Sequence, residues 1–294
     1  MADPITTSRS LDGVLARMGE AIAKKEQEQK SEPPQSAKVV QLPLWPQAAP
    51  GAPNPVLRSA LFPAIQSKDR RMLLNAPIAA LKGQEITFTG QQLNQEDLEV
   101  WLQVLDLARN HPLGEICHTS AHGLLKALDR PTGNSQHKQL HDSLRRLQAH
   151  GLEIKAGRFT YFGSLIKEGI KDEVTRQYLI EINPRLAALF GQGWTQLDTA
   201  MRRKLRGKPL ALWLQAHYAT HATPLPYSVA KLSELSGSQT KTLKRFRQAL
   251  RVALADLQAT GAITGWAIDG GDLVHVHKVT TITQRRKGRK PTQK

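Results

Sequence analysis

The sequence predicts an α+β fold in which a short helix, a turn, a longer basic helix and a β-hairpin occur twice in that order, behind an extended N-terminal arm. Three observations carry this. Residues 144–151 read LRRLQAHG and residues 254–261 read LADLQATG, so the pattern L-x-x-L-Q-A-x-G recurs, each time ahead of sequence rich in β-formers. A glycine turn leads into each of these helices, and a short amphipathic stretch precedes each turn. Eight of the 17 prolines fall between Pro33 and Pro63, where they remove the backbone donors that a helix or sheet needs.

The elements follow in order. Residues 1–55 read as a flexible arm: SLDGVLARMGEAIAKKEQEQK at 10–30 carries Leu11, Val14, Leu15, Met18 and Ile22 on one helical face behind Ser10 as a cap, and the proline-rich stretch after it reads as an extended tether. Residues 56–184 form the first predicted domain. Within it EITFTG is a strand, and NQEDLEVWLQVLDLARN is a helix that turns Leu98, Trp101, Leu102, Leu105 and Leu107 inward and stops at His111-Pro112. SAHGLLKALD at 120–129 is the short helix and TGNSQHKQLHDSLRRLQ at 132–148 the glycine turn with its longer helix. RFTYFGSLIKE and EVTRQYLIEIN are read as one hairpin around 169–172. Residues 185–279 repeat the scheme with SVAKLSEL, SGSQTKTLKRFRQALRVALADLQ, and the strands ITGWAI and LVHVHK around the turn DGGD. Residues 280–294 read as a basic disordered tail. A helix–turn–helix closed by a hairpin is a winged helix, so the prediction is two tandem winged-helix domains.

Composition narrows the function. With 41 Lys+Arg against 25 Asp+Glu the formal charge is +16, which points to a polyanionic partner, because cations bound to nucleic acid release its condensed counterions. The single cysteine, Cys117, excludes an internal disulfide and a Cys-based zinc site and suits a reducing cytoplasm. No apolar run approaches the roughly 18 residues of a membrane span, and the N-terminus lacks the apolar core of a signal peptide, so no membrane contact is expected and the predicted location is cytoplasmic.

The two longer helices carry the chemistry. At 100° per residue, a helix over 238–257 gathers Leu243, Phe246, Leu250, Leu254 and Leu257 on one face and Lys241, Lys244, Arg245 and Gln248 on the other, with Gln239 at its start. Arg can make two hydrogen bonds to guanine, and Gln two to adenine, from the N-terminal part of such a helix. In the first domain Leu140, Leu144 and Leu147 face inward, Lys138, His141 and Arg145 face outward, and Asn134 and Ser135 stand at the helix start. The second helix is expected to supply more of the affinity, the first more of the neutral base contacts. MRRKLRGK at 201–208 and RRKGRK at 285–290 are expected to add phosphate contacts. The competing reading of each cationic run is a solvated surface.

Catalysis finds little support. His275 and His277 alternate on a strand, the form in which rolling-circle nicking enzymes hold a metal, yet Tyr161, Tyr178, Tyr218 and Tyr227 all precede the pair and none sits where a nucleophile would. Gly157, Gly163 and Gly169 match no Walker loop and no dinucleotide fingerprint. The expectation is a protein that is not an enzyme, without cofactor or metal.

The strings VLRSALFPA at 56–64, ITFTGQQLNQEDLEVWLQVLDLAR at 86–109, PLGE at 112–115, LRRLQAHG and GDLVHVHK at 271–278 resemble, in order and separation, the TrfA-type replication initiators of broad-host-range plasmids, over about residues 40–278. The resemblance implies binding to double-stranded origin DNA at direct repeats, called iterons, as a monomer with an inactive homodimer. It also implies opening of an AT-rich segment and recruitment of the replicative helicase, the host initiator and the polymerase sliding clamp. QLPLW resembles a clamp-binding peptide at Gln41, Leu42 and Leu44, with Trp45 in place of Phe and Pro43 in place of a small polar residue. The rivals are a winged-helix transcriptional repressor, which requires a dimer on a palindrome, and a nicking endonuclease using His275 and His277.

Overall fold

The computed structural model describes residues 42, 43, 45, 49–112 and 114–278; the predicted helix at 10–30, Gln41, Leu44 and the basic tail at 280–294 lie outside the described residues. The order begins with β1 (Gly51–Pro53), the single turn α1 (Asn54–Leu57), β2 (Met72–Ile78), β3 (Gln84–Gln91) and α2 (Gln95–Ala108). Next come β4 (Ile116–Ser120), α3 (Ala121–Ala127), α4 (Asn134–Gln148), β5 (Gly151–Ala156), β6 (Phe159–Gly163), β7 (Ile166–Lys171) and β8 (Gln177–Ile182). A connecting stretch of α5 (Ala187–Phe190), β9 (Trp194–Gln196) and α6 (Thr199–Lys204) leads to α7 (Pro209–Ala219), β10 (Tyr227–Ser228), α8 (Val229–Leu235), α9 (Leu243–Ala259), β11 (Gly265–Ile268) and β12 (Leu273–His277).

The sheets repeat with the sequence. One sheet runs β4-β8-β7 and another β10-β12-β11, so in both the strand before the short helix pairs with the second strand of the hairpin. Both short helices start on a serine: Ser120 accepts from the Gly123 N–H at 2.9 Å and Ser228 from the Lys231 N–H at 3.1 Å. The first copy carries an insertion, since β5 and β6 leave the block and join β2 and β3 in a four-stranded antiparallel sheet. Strict alternation in β5 turns Leu152, Ile154 and Ala156 inward. The hairpin predicted from RFTYFG to QYLIEI is therefore two hairpins: β6 pairs with β5, and only β7 pairs with β8, around residues 172–176.

Two cores result. The first is built around Trp101, Leu105, Phe88, Leu125 and Leu147, and it extends past residue 184, where the sequence put a domain boundary, through Leu189, Phe190 and Leu197. The second joins Trp213, Leu232, Phe246, Leu250, Leu254, Leu257 and Val274. Helix α2 opens with a capping box of Asn94 and Asp97 and buries Leu98, Trp101, Leu102 and Leu105 as expected; Val104 and Ala108 complete the face, and Leu107 is only half-buried. Helix α9 starts later than predicted, because Thr242 caps it by accepting from the Arg245 N–H at 3.3 Å; Leu243 is then 47% exposed instead of buried. Asn134 and Ser135 are the first two residues of α4, as expected, and Gly133 occupies the cap position.

The reading of residues 1–55 as a free arm fails for its last part. Leu42 and Trp45 are 3% and 5% exposed, and β1 pairs with β9 in register Gly51 to Gln196. Those side chains had no neighbour in sequence able to cover them; both join the first core, where Phe190 and Trp194, about 145 residues further on, pack against Trp45. Cys117 is buried, and among the described residues no helix is long and apolar enough to cross a membrane.

The His217 side chain on α7 is fully buried, stacked on Trp213 at 4.7 Å, and neither ring nitrogen has a partner. Burial pushes its imidazole down to about 3, helped by the His221 ring and the Arg58 guanidinium. The unfolded chain takes up this proton near the ordinary value of 6.5, while the folded chain does not until about 3. Its contribution to stability is thus complete above pH 6.5 and is lost as pH falls between 6.5 and about 3, and burial lowers His150 and His221 in the same sense. Melting followed by circular dichroism should show the midpoint falling from pH 7 to pH 5, with His217→Phe flattening that fall by the equivalent of about one proton.

Candidate nucleic-acid interface

Helices α4 and α9 each bury one face and leave a polar one outside. On α4, Leu140, Leu144 and Leu147 are buried, and Asn134, Ser135, Lys138 and Arg145 are exposed, as the sequence predicts. His141 is half-buried, with Nδ1 3.2 Å from the Tyr178 hydroxyl on β8. Burial, with Glu173 and Asp142 nearby, raises that phenol to about 12. A phenol that keeps its proton can donate to Nδ1, which leaves Nε2 of His141 for an outside partner.

On α9, Lys244, Arg245 and Gln248 are exposed, and Lys241 is exposed one residue before the Thr242 cap. Three cations at a helix N-terminus, added to the positive end of the helix dipole and its unpaired N–H groups, make a strong site for anionic oxygens. Arg247 turns the other way and forms a two-pronged ion pair with Asp272, with Nε to Oδ1 at 2.8 Å, which ties the helix to the turn between β11 and β12. Asp272 holds φ +61°, so the turn presents its carboxylate from a left-handed backbone position.

Gln239 does not stand free. Its Nε2 donates to the Asp69 carbonyl at 3.1 Å and to Gln92 Oε1 at 3.2 Å, and its Oε1 accepts from Arg71 at 3.3 Å. The basic run at 201–208 is likewise engaged: Arg202 is buried against Gln95, Gln215 and the Leu212 carbonyl, while Arg203 and Arg206 donate to the carbonyls of Ala127, Leu128 and Asp129 at the end of α3. These guanidiniums close a helix end and join the two halves instead of facing a phosphate. His275 Nε2 lies 2.9 Å from Asp269 Oδ2, and among the described residues no group of three or more His, Cys, Asp or Glu side chains is placed to hold a metal.

Of the predicted clamp-binding residues, Leu42 and Trp45 are described, and both are buried in the first core. Trp45 stacks on Phe190 at 6.1 Å, its Nε1 donates to Asp106 Oδ1 at 3.1 Å, and Arg109 donates to its carbonyl at 2.8 Å. A Cβ added at Gly51 would come within 2.9 Å of both the Trp45 and Trp194 rings, so glycine is required where β1 passes beneath them. Two residues that pattern reading missed are Lys68 and Arg71, exposed in a short segment beside Gln239; the only signal in the sequence was the charge run SKDRR.

Such a chain is a double-headed α+β protein with two outward polar helix faces, each backed by a hairpin. A family model described as TrfA protein matches residues 14–278. The chain belongs to the TrfA protein family. It is 28% identical over 241 residues to the plasmid replication initiator protein TrfA of Escherichia coli, a match covering 79% of this chain and 62% of that relative's length. Among solved structures, the selenomethionine derivative of domains 2 and 3 of RctB is 12% identical with a TM-score of 0.50, covering 69% of this chain and 84% of that one, and shares the fold. A second structure of RctB domains 2–3 is also 12% identical, with a TM-score of 0.45 over 67% of this chain and 81% of that one.

Because Trp45 belongs to the core, Trp45→Ala should destabilise the chain by about 3 kcal/mol in urea unfolding, within the range for large aromatic truncations. A freely tethered Trp would change stability by less than about 0.5 kcal/mol.

Proposed function

We propose that this chain is a plasmid replication initiator that binds double-stranded direct repeats at its origin through two winged-helix units in one monomer. The observation that carries this reading is the repeated block itself: β4-α3-α4-β7-β8 and β10-α8-α9-β11-β12 have the same strand order, and each exposes a polar face on its longer helix. In a duplex the N-terminal half of each such helix enters a major groove and the hairpin turn lies along the backbone. Lys241, Lys244 and Arg245 take phosphates and guanine edges at one half-site; Asn134, Ser135, Lys138, His141 and Arg145 do so at the other, with more neutral donors. Gln248 is the α9 side chain suited to adenine, and Gln239 acts through position instead of base contact.

The protein works by binding and recruitment, without covalent chemistry, cofactor or metal. Its partners in that role are the host replicative helicase, the host initiator and the sliding clamp, and the homodimer is its inactive store. Two reading heads in one chain favour direct repeats; a repressor of the same fold would use one head per chain on a palindrome. Clamp binding through Leu42, Leu44 and Trp45 requires Leu42 and Trp45 to leave the core.

Footprinting on the DNA that flanks its own coding region, where tandem repeats are expected, tests the proposal. Protection of each repeat by monomer at moderate salt is expected, and absence of protection overturns it. Lys244→Ala with Arg245→Ala should weaken binding and make the dependence of log K on log salt shallower by about 1.8, or 0.9 per lost phosphate contact. A supercoiled plasmid incubated with protein and divalent metal should remain unnicked.

A further inference from the structure

Segment 66–71 lies between the turn that leads into α9 and the groove beside α4. On one side it is built onto the turn before α9. The Ala64 N–H donates to the Ser236 carbonyl at 2.7 Å, and a Cβ on Gly237, which holds φ +59°, would meet Pro63 at 2.6 Å. Gln239 is saturated by Asp69, Gln92 and Arg71, as described above. On the other side the segment forms one wall of a groove whose opposite wall is α4: Gln66 and Lys68 face Gln139 and Asp142. Arg70 fixes it there by its 3.0 Å ion pair with Asp97, which also holds Arg146 of α4.

We propose that this segment is a third DNA-contacting element, a basic bridge that grips the sugar-phosphate backbone across the minor groove lying between the two major-groove half-sites. The inference rests on the double-headed reading above. Two helices in successive major grooves stand about one helical turn apart, roughly 34 Å. Whatever joins them on the protein side faces the intervening minor groove, about 6 Å wide, where phosphates of the two strands approach each other most closely. Lys68 and Arg71 are the exposed cations there. Glu96 and Asp142 line the groove, so a phosphate is taken by Lys68 at its rim and by Arg71 beside Gln239, and not at its floor. Contacts of this kind carry no base information: they set where the protein sits and how its affinity responds to salt. Gln239 is a positioning residue for the bridge, since its amide holds both the Asp69 carbonyl and the Arg71 guanidinium.

The test uses the full chain and the duplex protected in the footprint. For wild type, Lys68→Ala, Lys68→Ala with Arg71→Ala, and Lys82→Ala as an exposed control on the β2–β3 turn, binding is measured over a series of salt concentrations, with melting curves to verify folding. The slope of log K against log salt should become shallower by about 0.9 for Lys68→Ala and about 1.8 for the double variant, with Lys82→Ala unchanged. The ranking of base substitutions within the repeat should stay as in wild type. Folded Lys68→Ala with a wild-type slope overturns the bridge, as does an equal loss for Lys82→Ala, which would mark the effect as bulk charge. A wild-type chain that binds no duplex overturns the bridge together with the initiator reading.

Discussion

Asp97 lies with no exposed side-chain surface in the first turn of α2, and its two oxygens draw together three parts of the chain. Arg146 of α4 donates to it from Nη2 at 2.8 Å, Arg70 reaches it at 3.0 Å, and the Asn94 backbone N–H completes the set at 3.1 Å. A carboxylate buried there alone would cost several kcal/mol, and removing it would leave two guanidiniums nearly as badly placed, so the cluster is stable only as a whole. That requirement fixes the rotation of α4 about its axis. With Arg146 held against α2, the positions around Lys138 and Arg145 turn away from the core, and the first polar face follows from an interaction about a quarter-turn round the same helix.

The second half is held differently. Its helix α9 relies on Phe246, Leu250, Leu254 and Leu257, each fully buried and each contributing about 1.5–3 kcal/mol by apolar transfer. Its ion pair, Arg247 with Asp272, is partly exposed and aligns the hairpin turn more than it stabilises. The buried charge instead sits at the junction. Arg202 reaches Gln95 on α2 and both Gln215 and the Leu212 carbonyl on α7, and Trp213 donates to the Ser59 carbonyl at 3.1 Å. Directional bonds of this kind tolerate little rotation, so the two helices keep one mutual orientation. A geometry fixed in this way suits recognition of half-sites at one spacing.

What could be read from the sequence was what neighbours in sequence decide. The L-x-x-L-Q-A-x-G repeat, the DGGD turn and the inward leucines of α4 all depend on residues within a few turns of one another, and all appear where expected. The misreadings share the opposite cause. RFTYFG looked like half of the nearest hairpin, yet β6 pairs with β5, which is itself drawn to β3 about 65 residues upstream. The arginines of MRRKLRGK looked available to phosphates because the carbonyls that satisfy them end a helix about 75 residues earlier. Gln239 looked like a reading residue until the segment at 66–71 supplied its partners. At each of these sites composition gave the type of chemistry, and the tertiary neighbour decided where it pointed.

The same distinction changes the meaning of Leu42 and Trp45. As part of a free tether they would be available to any partner with an apolar pocket; buried in the first core, where Trp45 packs on Phe190 and Trp194, they are already in one. A partner that takes them must first release them, and if their burial stabilises the chain by about 3 kcal/mol, the competent state is populated at about 1 part in 150 and the apparent affinity falls by that factor. Release would also open the pairing of β1 with β9, because Gly51 lies under both tryptophan rings. Docking of this segment on its own fold and capture by a partner are therefore competing states of one peptide, and the balance between them is set by the Trp45 contacts with Asp106, Arg109 and Phe190.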